Sequence, residues 1–309
     1  MSFCRSEFQI LEKYEKHMGI KGSARNFLLK NKQINPYRFS WDSTFRYLTN
    51  SIRFLPHFLI IGTSKAGKYS VLSYLNQHHE ISAGFKDHAG VHYFDGSFEI
   101  NSISWYRSHF PTKISKFKIV GEAPGTYLTN PSAPIRIKKV LPNVKLINFF
   151  RNPVNRAYSA YNHAVRYGWE HSSFENAIEA EIERMNLLKD NSDMKINNEN
   201  SVNYLQFSYL RHGLYANNLE NWFNEFEEKQ FRHYSTEELD ENYNEIMNSL
   251  FTFFGIKNIE LTKVKRKNVG VEKVLHEPMK EKIREFLIDF YKPHNEKLFR
   301  MIKKEFQWE

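Results

Sequence analysis

The sequence predicts an α/β fold of three layers, α/β/α, around a central parallel sheet, and three observations carry that expectation. Short apolar runs at residues 58–61, 118–121 and 145–150 alternate with helical patterns, as strands covered on both faces do. The first run passes directly into Gly62-Thr63-Ser64-Lys65-Ala66-Gly67-Lys68-Tyr69-Ser70, a small-residue turn with two lysines that opens a helix. A strand that turns into a helix gathers unpaired amide N–H groups and the positive end of a dipole at one point, a P-loop-like arrangement suited to an anion.

The elements follow in order. Residues 1–57 read as an N-terminal helical extension packed on a main domain of residues 58–309. Within the extension, Phe8, Leu11 and Tyr14 share a helix face by their spacing, and Asn35-Pro36 and Trp41-Asp42-Ser43 are turn signals. Helices are expected at 70–76, 133–140, 155–167 and 173–188, the last opened by a capping box from Ser172 to Glu175. Residues 189–203 are rich in Asn, Asp, Ser and Lys and read as a mobile loop or lid. In the C-terminal third, Leu219, Trp222, Phe223 and Phe226, and again Ile283, Phe286, Leu287 and Phe290, lie at helical spacing and read as core.

Composition narrows the partners. The 309 residues suffice for a full α/β core with decorations, and 41% hydrophobic and 16% aromatic content are those of a globular chain. A formal charge of +9 favours an anionic ligand without naming it. The lysines are scattered and no basic arm or nucleic-acid motif appears, so nucleic acid is not the expected partner. The single cysteine, Cys4, excludes an intrachain disulfide and a Cys-rich metal site, and the histidines have no metal-ligand spacing. Residues 1–17 lack the apolar core of a signal peptide, the longest apolar run is too short to span a bilayer, and no Asn-x-Ser/Thr sequon occurs. A cytoplasmic protein without membrane partners is the expectation.

The loop fits two templates. Gly62-x4-Gly67-Lys68 satisfies the nucleoside-triphosphatase P-loop until Tyr69, where Ser or Thr is needed for Mg²⁺. The other template uses Lys65. A second cluster bears on the choice. The strand at 145–150 runs into Arg151-Asn152-Pro153-Val154-Asn155-Arg156-Ala157-Tyr158-Ser159-Ala160-Tyr161. Ligands of open α/β sheets bind at the carboxyl ends of strands, where Arg151 stands. Pro153 suits a helix start, and Asn155, Ser159 and His163 then share a face. Arg151 and Ser159 could converge on one phosphate, as a fork of donors and a hydroxyl.

Together these residues resemble the sulfotransferases that use 3′-phosphoadenosine 5′-phosphosulfate (PAPS). The family's 3′-phosphate motif, Arg-x-Pro-x-x-Arg-x-x-Ser-x-Tyr, is met in full by Arg151, Pro153, Arg156, Ser159 and Tyr161. The resemblance covers most of the chain from residue 58 and is closest to the heparan-sulfate-type (N- and 3-O-sulfotransferase-like) branch. His92-Tyr93-Phe94-Asp95 with Trp105-Tyr106 is similar to one block of that branch, and Gly121-Glu122-Ala123 with Tyr127-Leu128 to another. Tyr209-Leu210 through Gly213, Tyr215, Leu219 and Trp222 is similar to a third, and Tyr291, Pro293 and Asn295 with Trp308 to a fourth.

The resemblance implies a sulfotransferase that moves a sulfuryl group from PAPS to a hydroxyl or amine of a small metabolite or sugar, leaving adenosine 3′,5′-bisphosphate. It implies a 5′-phosphosulfate loop from Thr63 through Lys65, Ala66, Gly67, Lys68, Tyr69 and Ser70, with Lys65 as the catalytic lysine. Charge grows on the leaving phosphate as the sulfur–oxygen bond breaks, and a lysine with aligned N–H groups stabilises that transition state more than the ground state. No metal is needed, which agrees with Tyr69. Arg151 and Ser159 would hold the 3′-phosphate, and Arg266 and Lys267, in the basic stretch Lys263, Lys265, Arg266 and Lys267 before Gly270, would add contacts.

Departures from the branch fall mostly on the acceptor side. Lys68 stands where the loop usually has Thr. Gly90 stands where a glutamate usually serves as base, and Ala123-Pro124-Gly125 replaces Lys-Ser-Pro. His92 is therefore the first candidate to accept the acceptor's proton, since an imidazole works as a base near neutral pH. Glu122 is the second, with Asp87 and His88 behind. Two alternatives remain at this level: a P-loop nucleotide kinase using Lys68, and a non-catalytic nucleotide-binding protein of the same fold.

Overall fold

Five strands, all parallel, form the central sheet of the computed structural model, which describes residues 41–84, 89–97, 101–190, 207–262 and 278–308. In chain order the elements are α1 (Trp41–Leu48), β1 (Phe58–Gly62), α2 (Lys68–Leu75), β2 (Ile81–Ala83), α3 (Ile103–Ser108), β3 (Ile119–Glu122), α4 (Ala133–Val140), β4 (Lys145–Phe150), α5 (Pro153–Arg166), α6 (Phe174–Asp190), α7 (Tyr215–Glu225), β5 (Phe231–Ser235), α8 (Thr236–Glu241), α9 (Tyr243–Phe254) and α10 (Glu281–Ile302). The strand order is β2-β3-β1-β4-β5. The α/β expectation with a parallel sheet holds.

The described residues fall into two units. One contains residues 41–55 with the described part of Gly96–Ser115. Its organising side chains are two arginines. Arg46 donates to the carbonyls of Ser108, His109 and Phe110 at 2.9, 2.9 and 3.2 Å, satisfying carbonyls left open at the end of α3. Arg53 adds a bond to the Phe110 carbonyl at 2.9 Å. The Trp41-Asp42-Ser43 turn signal proves to be the first turn of α1, because Asp and Ser favour a helix start as readily as a turn.

The other unit, from Pro56 to Asp95 and from Lys116 onward, carries the sheet. β1 is buried along its whole length, and β4 everywhere but its first residue, as central parallel strands must be. β1 pairs with β3 at Phe58↔Gly121 and with β4 at Phe58↔Lys145 through Gly62↔Asn148, with an irregularity between Ile60 and Gly62. Gly121 is a forced choice, since a Cβ there would lie 2.5 Å from the Phe58 ring. On one face Val71, Leu72 and Leu75 of α2 and Met247, Leu250 and Phe251 of α9 bury against Phe58, Ile60, Ile147 and Phe149. A second cluster joins α5, α6 and α10 through Ala157, Tyr161, Ile178, Leu287 and Tyr291.

Two boundaries differ from expectation. The cap of α6 is Ser173 rather than Ser172: its Oγ accepts from the Asn176 N–H at 3.3 Å. The expected loop at 189–203 begins two residues inside α6, and 191–203 lie outside the described residues. So do the expected features of residues 1–40. No described helix is long and apolar enough to cross a membrane.

Candidate active site

The site lies where β1 and β4 end side by side. The turn after β1 is fixed from several directions. Thr63 N–H donates to the Phe149 carbonyl at 2.8 Å. Thr236 Oγ1 donates to the Phe150 and Ala66 carbonyls at 2.8 and 3.3 Å, tying the loop to the end of β4. Lys65 and Gly67 both adopt left-handed backbone, at φ 73° and 72°. That sequence of conformations turns successive amides toward one concavity, as anion-binding nests do. Among the described residues the N–H groups of Ser64, Lys65, Gly67, Lys68 and Tyr69 donate to no backbone carbonyl. Ala66 and Ser70 are buried beneath the loop, and Tyr69 lies on its exposed rim.

The β4 end is equally defined. Asn152 caps α5, its Oδ1 accepting from the Val154 and Asn155 amides at 3.0 and 3.3 Å, and Pro153 takes the first helical position. Tyr215 Oη donates to the Arg151 carbonyl at 2.8 Å, and Arg151 Nη1 donates to the Lys65 carbonyl at 3.1 Å. Half-buried Ser159 sits on α5, and His163 and Arg166 follow it at i+4 and i+7 on the same face. Arg156 and Tyr161 have structural roles. Wholly buried Arg156 donates to the carbonyls of Ser208 and Tyr209, and Tyr161 Oη donates to the Ser172 carbonyl at 2.8 Å.

Electrostatics mark the loop as a place for negative charge. Burial, together with the positive charges of Arg166, Arg151, Lys68 and Arg156, lowers the pKa of Lys65 to about 8. Burial together with Lys65, Arg166 and Lys68 brings His163 down to about 4, so its imidazole is neutral at pH 7. Lys68 is lowered by burial and partly restored by Asp95 and Glu122.

Those two acids belong to a second cluster beside the loop. Glu122, the last residue of β3, is fully buried; it accepts from the Val91 N–H at 2.6 Å and from the Tyr127 hydroxyl at 3.0 Å. His92 Nδ1 lies 3.0 Å from Asp95 Oδ2, and the Thr126 hydroxyl donates to the same carboxylate oxygen. The His92 side chain is 48% exposed, that of Asp95 only 8%. His92 has φ 57°, so two of the three non-glycine residues with positive φ among the described residues are Lys65 and His92. Such backbone is held only where surroundings over-determine it, and it concentrates at functional sites.

The substituted acceptor-side residues pack on one another. A Cβ at Gly90 would lie 2.5 Å from Pro124 Cγ and 2.8 Å from its backbone nitrogen. A Cβ at Gly125 would lie 3.0 Å from Lys68 Nζ and 3.2 Å from Ser64 Cα.

Residues 55–300 match the sulfotransferase domain. The chain belongs to the sulfotransferase family. This sulfotransferase is 27% identical over 321 residues to the membrane-associated sulfotransferase kil1 of Dictyostelium discoideum, across 82% of the chain and 67% of that protein. It is 27% identical over 275 residues to heparan sulfate glucosamine 3-O-sulfotransferase 3B1 of Mus musculus, across 82% of the chain and 65% of that enzyme. The match to the bifunctional heparan sulfate N-deacetylase/N-sulfotransferase 1 of Caenorhabditis briggsae, at 27% identity and 63% of the chain, spans only 22% of that relative's length. Its fold is that of the sulfotransferase from Alicyclobacillus acidocaldarius, at 24% identity and a TM-score of 0.64, across 82% of this chain and 98% of that one.

Of the residues singled out from sequence, Lys65, Ala66, Gly67, Lys68, Tyr69 and Ser70 form the loop. Arg151 reaches it from β4, and Ser159 stands on the adjoining helix. His92 and Glu122 belong to the neighbouring cluster, while Asp87, His88, Arg266 and Lys267 lie outside the described residues. Arg166, Asp95 and Thr126 escaped the sequence reading as site residues. Arg166 had a signal, its i+7 spacing from Ser159; Thr126 had none, because its partner is 31 residues away.

Proposed function

We propose that this sulfotransferase moves a sulfuryl group from PAPS to a hydroxyl or amine of a sugar or small metabolite. The observation that carries the reading is the set of cations, Lys65, Lys68, Arg151 and Arg166, gathered around a loop whose amides are open to a ligand. A concavity of that kind fits a donor carrying a 5′-phosphosulfate and a 3′-phosphate. When bound, the donor supplies a sulfuryl group whose bond to the bridging oxygen breaks, the electron pair remaining on the 5′-phosphate.

Lys65 and the loop amides stabilise the charge that develops on that phosphate. Arg151, with its fork of donors, and the Ser159 hydroxyl hold the 3′-phosphate and so select the donor over ordinary adenine nucleotides. His92 takes the proton from the acceptor, with Asp95 fixing the imidazole through Nδ1. Glu122 serves as a positioning residue, since its oxygens already hold the Val91 amide and the Tyr127 hydroxyl. A sugar acceptor is favoured by the relatives named for heparan sulfate, and the substitutions at 90 and 123–125 point to an acceptor held differently from theirs.

Titration calorimetry with adenosine 3′,5′-bisphosphate and with ATP–Mg²⁺ tests the donor. The bisphosphate is expected to bind and ATP–Mg²⁺ not to; the reverse order overturns the reading. Labelled PAPS with a panel of sugars, alcohols and amines then identifies the acceptor.

A further inference from the structure

We propose that Lys68 is a second cation for the sulfuryl group, its ammonium carried over Gly125 to the acceptor side of the loop. The inference rests on the donor assignment above and concerns which part of that donor Lys68 meets. Lys68 opens α2, one turn from Lys65, yet its Nζ lies against Gly125, in the segment that follows β3. A methyl group at 125 would stand 3.0 Å from the nitrogen and push the ammonium aside by a few tenths of an ångström.

Two sets of charges interact with the ammonium: it lowers the pKa values of Lys65 and His163, and Asp95 and Glu122 raise its own. Neither acid claims it. Glu122 is engaged by Val91 and Tyr127, and Asp95 by Thr126 and His92. Among the described residues Lys68 forms no ion pair or hydrogen bond, and its contact is with the face of the Tyr69 ring at 5.6 Å. A half-buried ammonium with three N–H donors and no acceptor among the described residues is a place for a ligand to supply one.

Gly125 adjoins Thr126, whose hydroxyl donates to Asp95 beside His92, so the ammonium neighbours both the loop and the His92 cluster, where sulfur would pass from donor to acceptor. During transfer the bond from sulfur to the bridging oxygen breaks with its electron pair staying on the phosphate. The acceptor's lone pair forms the new bond to sulfur, and its proton goes to His92. Lys68 makes and breaks no covalent bond; it donates hydrogen bonds to the non-bridging sulfuryl oxygens throughout. A cation that meets the sulfuryl group distinguishes PAPS from adenosine 3′,5′-bisphosphate, whereas one that meets the 5′-phosphate does not.

The test measures binding of both nucleotides, without acceptor, to the wild type and to Lys68→Met, Lys68→Thr and Gly125→Ala. The Lys68 variants are expected to lose about 10- to 100-fold in PAPS affinity, the range for a hydrogen bond to a charged group, and less than about 3-fold for the bisphosphate. Gly125→Ala keeps the charge but displaces it, and is expected to show the same selective loss. Equal losses for both nucleotides would place Lys68 on the 5′-phosphate and overturn the proposal, as would no loss for either. A wild-type protein that binds neither nucleotide overturns the donor assignment, and this inference with it.

Discussion

Arg151 Nη1 donates to the carbonyl oxygen of Lys65 at 3.1 Å, so a cation from the end of β4 fixes the backbone of the loop that leaves β1. The loop's shape and the proposed 3′-phosphate site therefore share one side chain. Arg151→Lys keeps the charge but loses the planar fork. It is expected to weaken adenosine 3′,5′-bisphosphate binding about tenfold while changing affinity for adenosine 5′-monophosphate much less, as calorimetry would read directly.

Lys65 gives the donor site a pH dependence with a definite sign. Burial and neighbouring cations hold the free enzyme's lysine near pKa about 8, and an anionic ligand favours its charged form. Binding thus raises the pKa. Donor affinity is then full below about pH 8 and declines above it, with proton uptake on binding around and above pH 8. Calorimetry in buffers of different ionisation enthalpy measures that uptake, and Lys65→Ala is expected to remove it. The same variant should abolish transfer while still binding adenosine 3′,5′-bisphosphate.

His92→Ala is expected to lower kcat about 10²- to 10⁴-fold, the usual contribution of a positioned base. Asp95→Asn keeps the size of the orienting group and should cost less, with donor affinity unchanged in both. An unchanged kcat in His92→Ala would move proton transfer to another group.

Glu122→Gln turns one of two acceptors into a donor: toward Val91 it faces an N–H, and toward Tyr127 it leaves the hydroxyl proton without its acceptor. A buried donor left without an acceptor costs about 1–3 kcal/mol. A lower unfolding midpoint and a lower kcat are expected together, because Val91 adjoins His92; donor affinity should stay constant.

Gly90→Glu introduces the carboxylate that the resemblance to the heparan-sulfate-type branch implies at this position, yet its Cβ would stand 2.5 Å from Pro124 Cγ. Destabilisation of about 1–3 kcal/mol, typical of overpacking, is expected in urea unfolding, with no gain in transfer.

The central part of the fold was legible because β1, β3 and β4 are apolar runs with cover on both faces. The two edge strands were not. Ile81–Ala83 has three residues, too few for a pattern, and Phe231–Ser235 carries Arg232 and His233 at half-buried positions. The capping box of α8, in which Ser235 accepts from Glu238 N–H and Glu238 accepts from Ser235 N–H, had its signal in Ser-x-x-Glu but no long apolar run behind it. In the site, Lys65, Arg151 and Ser159 could be read from local motifs. The link of His92 to Asp95 is local as well, but that of Gly90 to Pro124 joins segments that only the sheet brings side by side.

The packing of Gly90 on Pro124 and of Lys68 on Gly125 bears on how this enzyme could change its substrate. A Cβ at 90 meets Pro124 and a Cβ at 125 meets Lys68, so a larger side chain at 90 or 125 needs a change at 124 or 68 to make room for it. Such variants lie two steps away. Libraries that randomise 90 with 124, and 68 with 125, should therefore hold new acceptor preferences that single-site saturation never reaches.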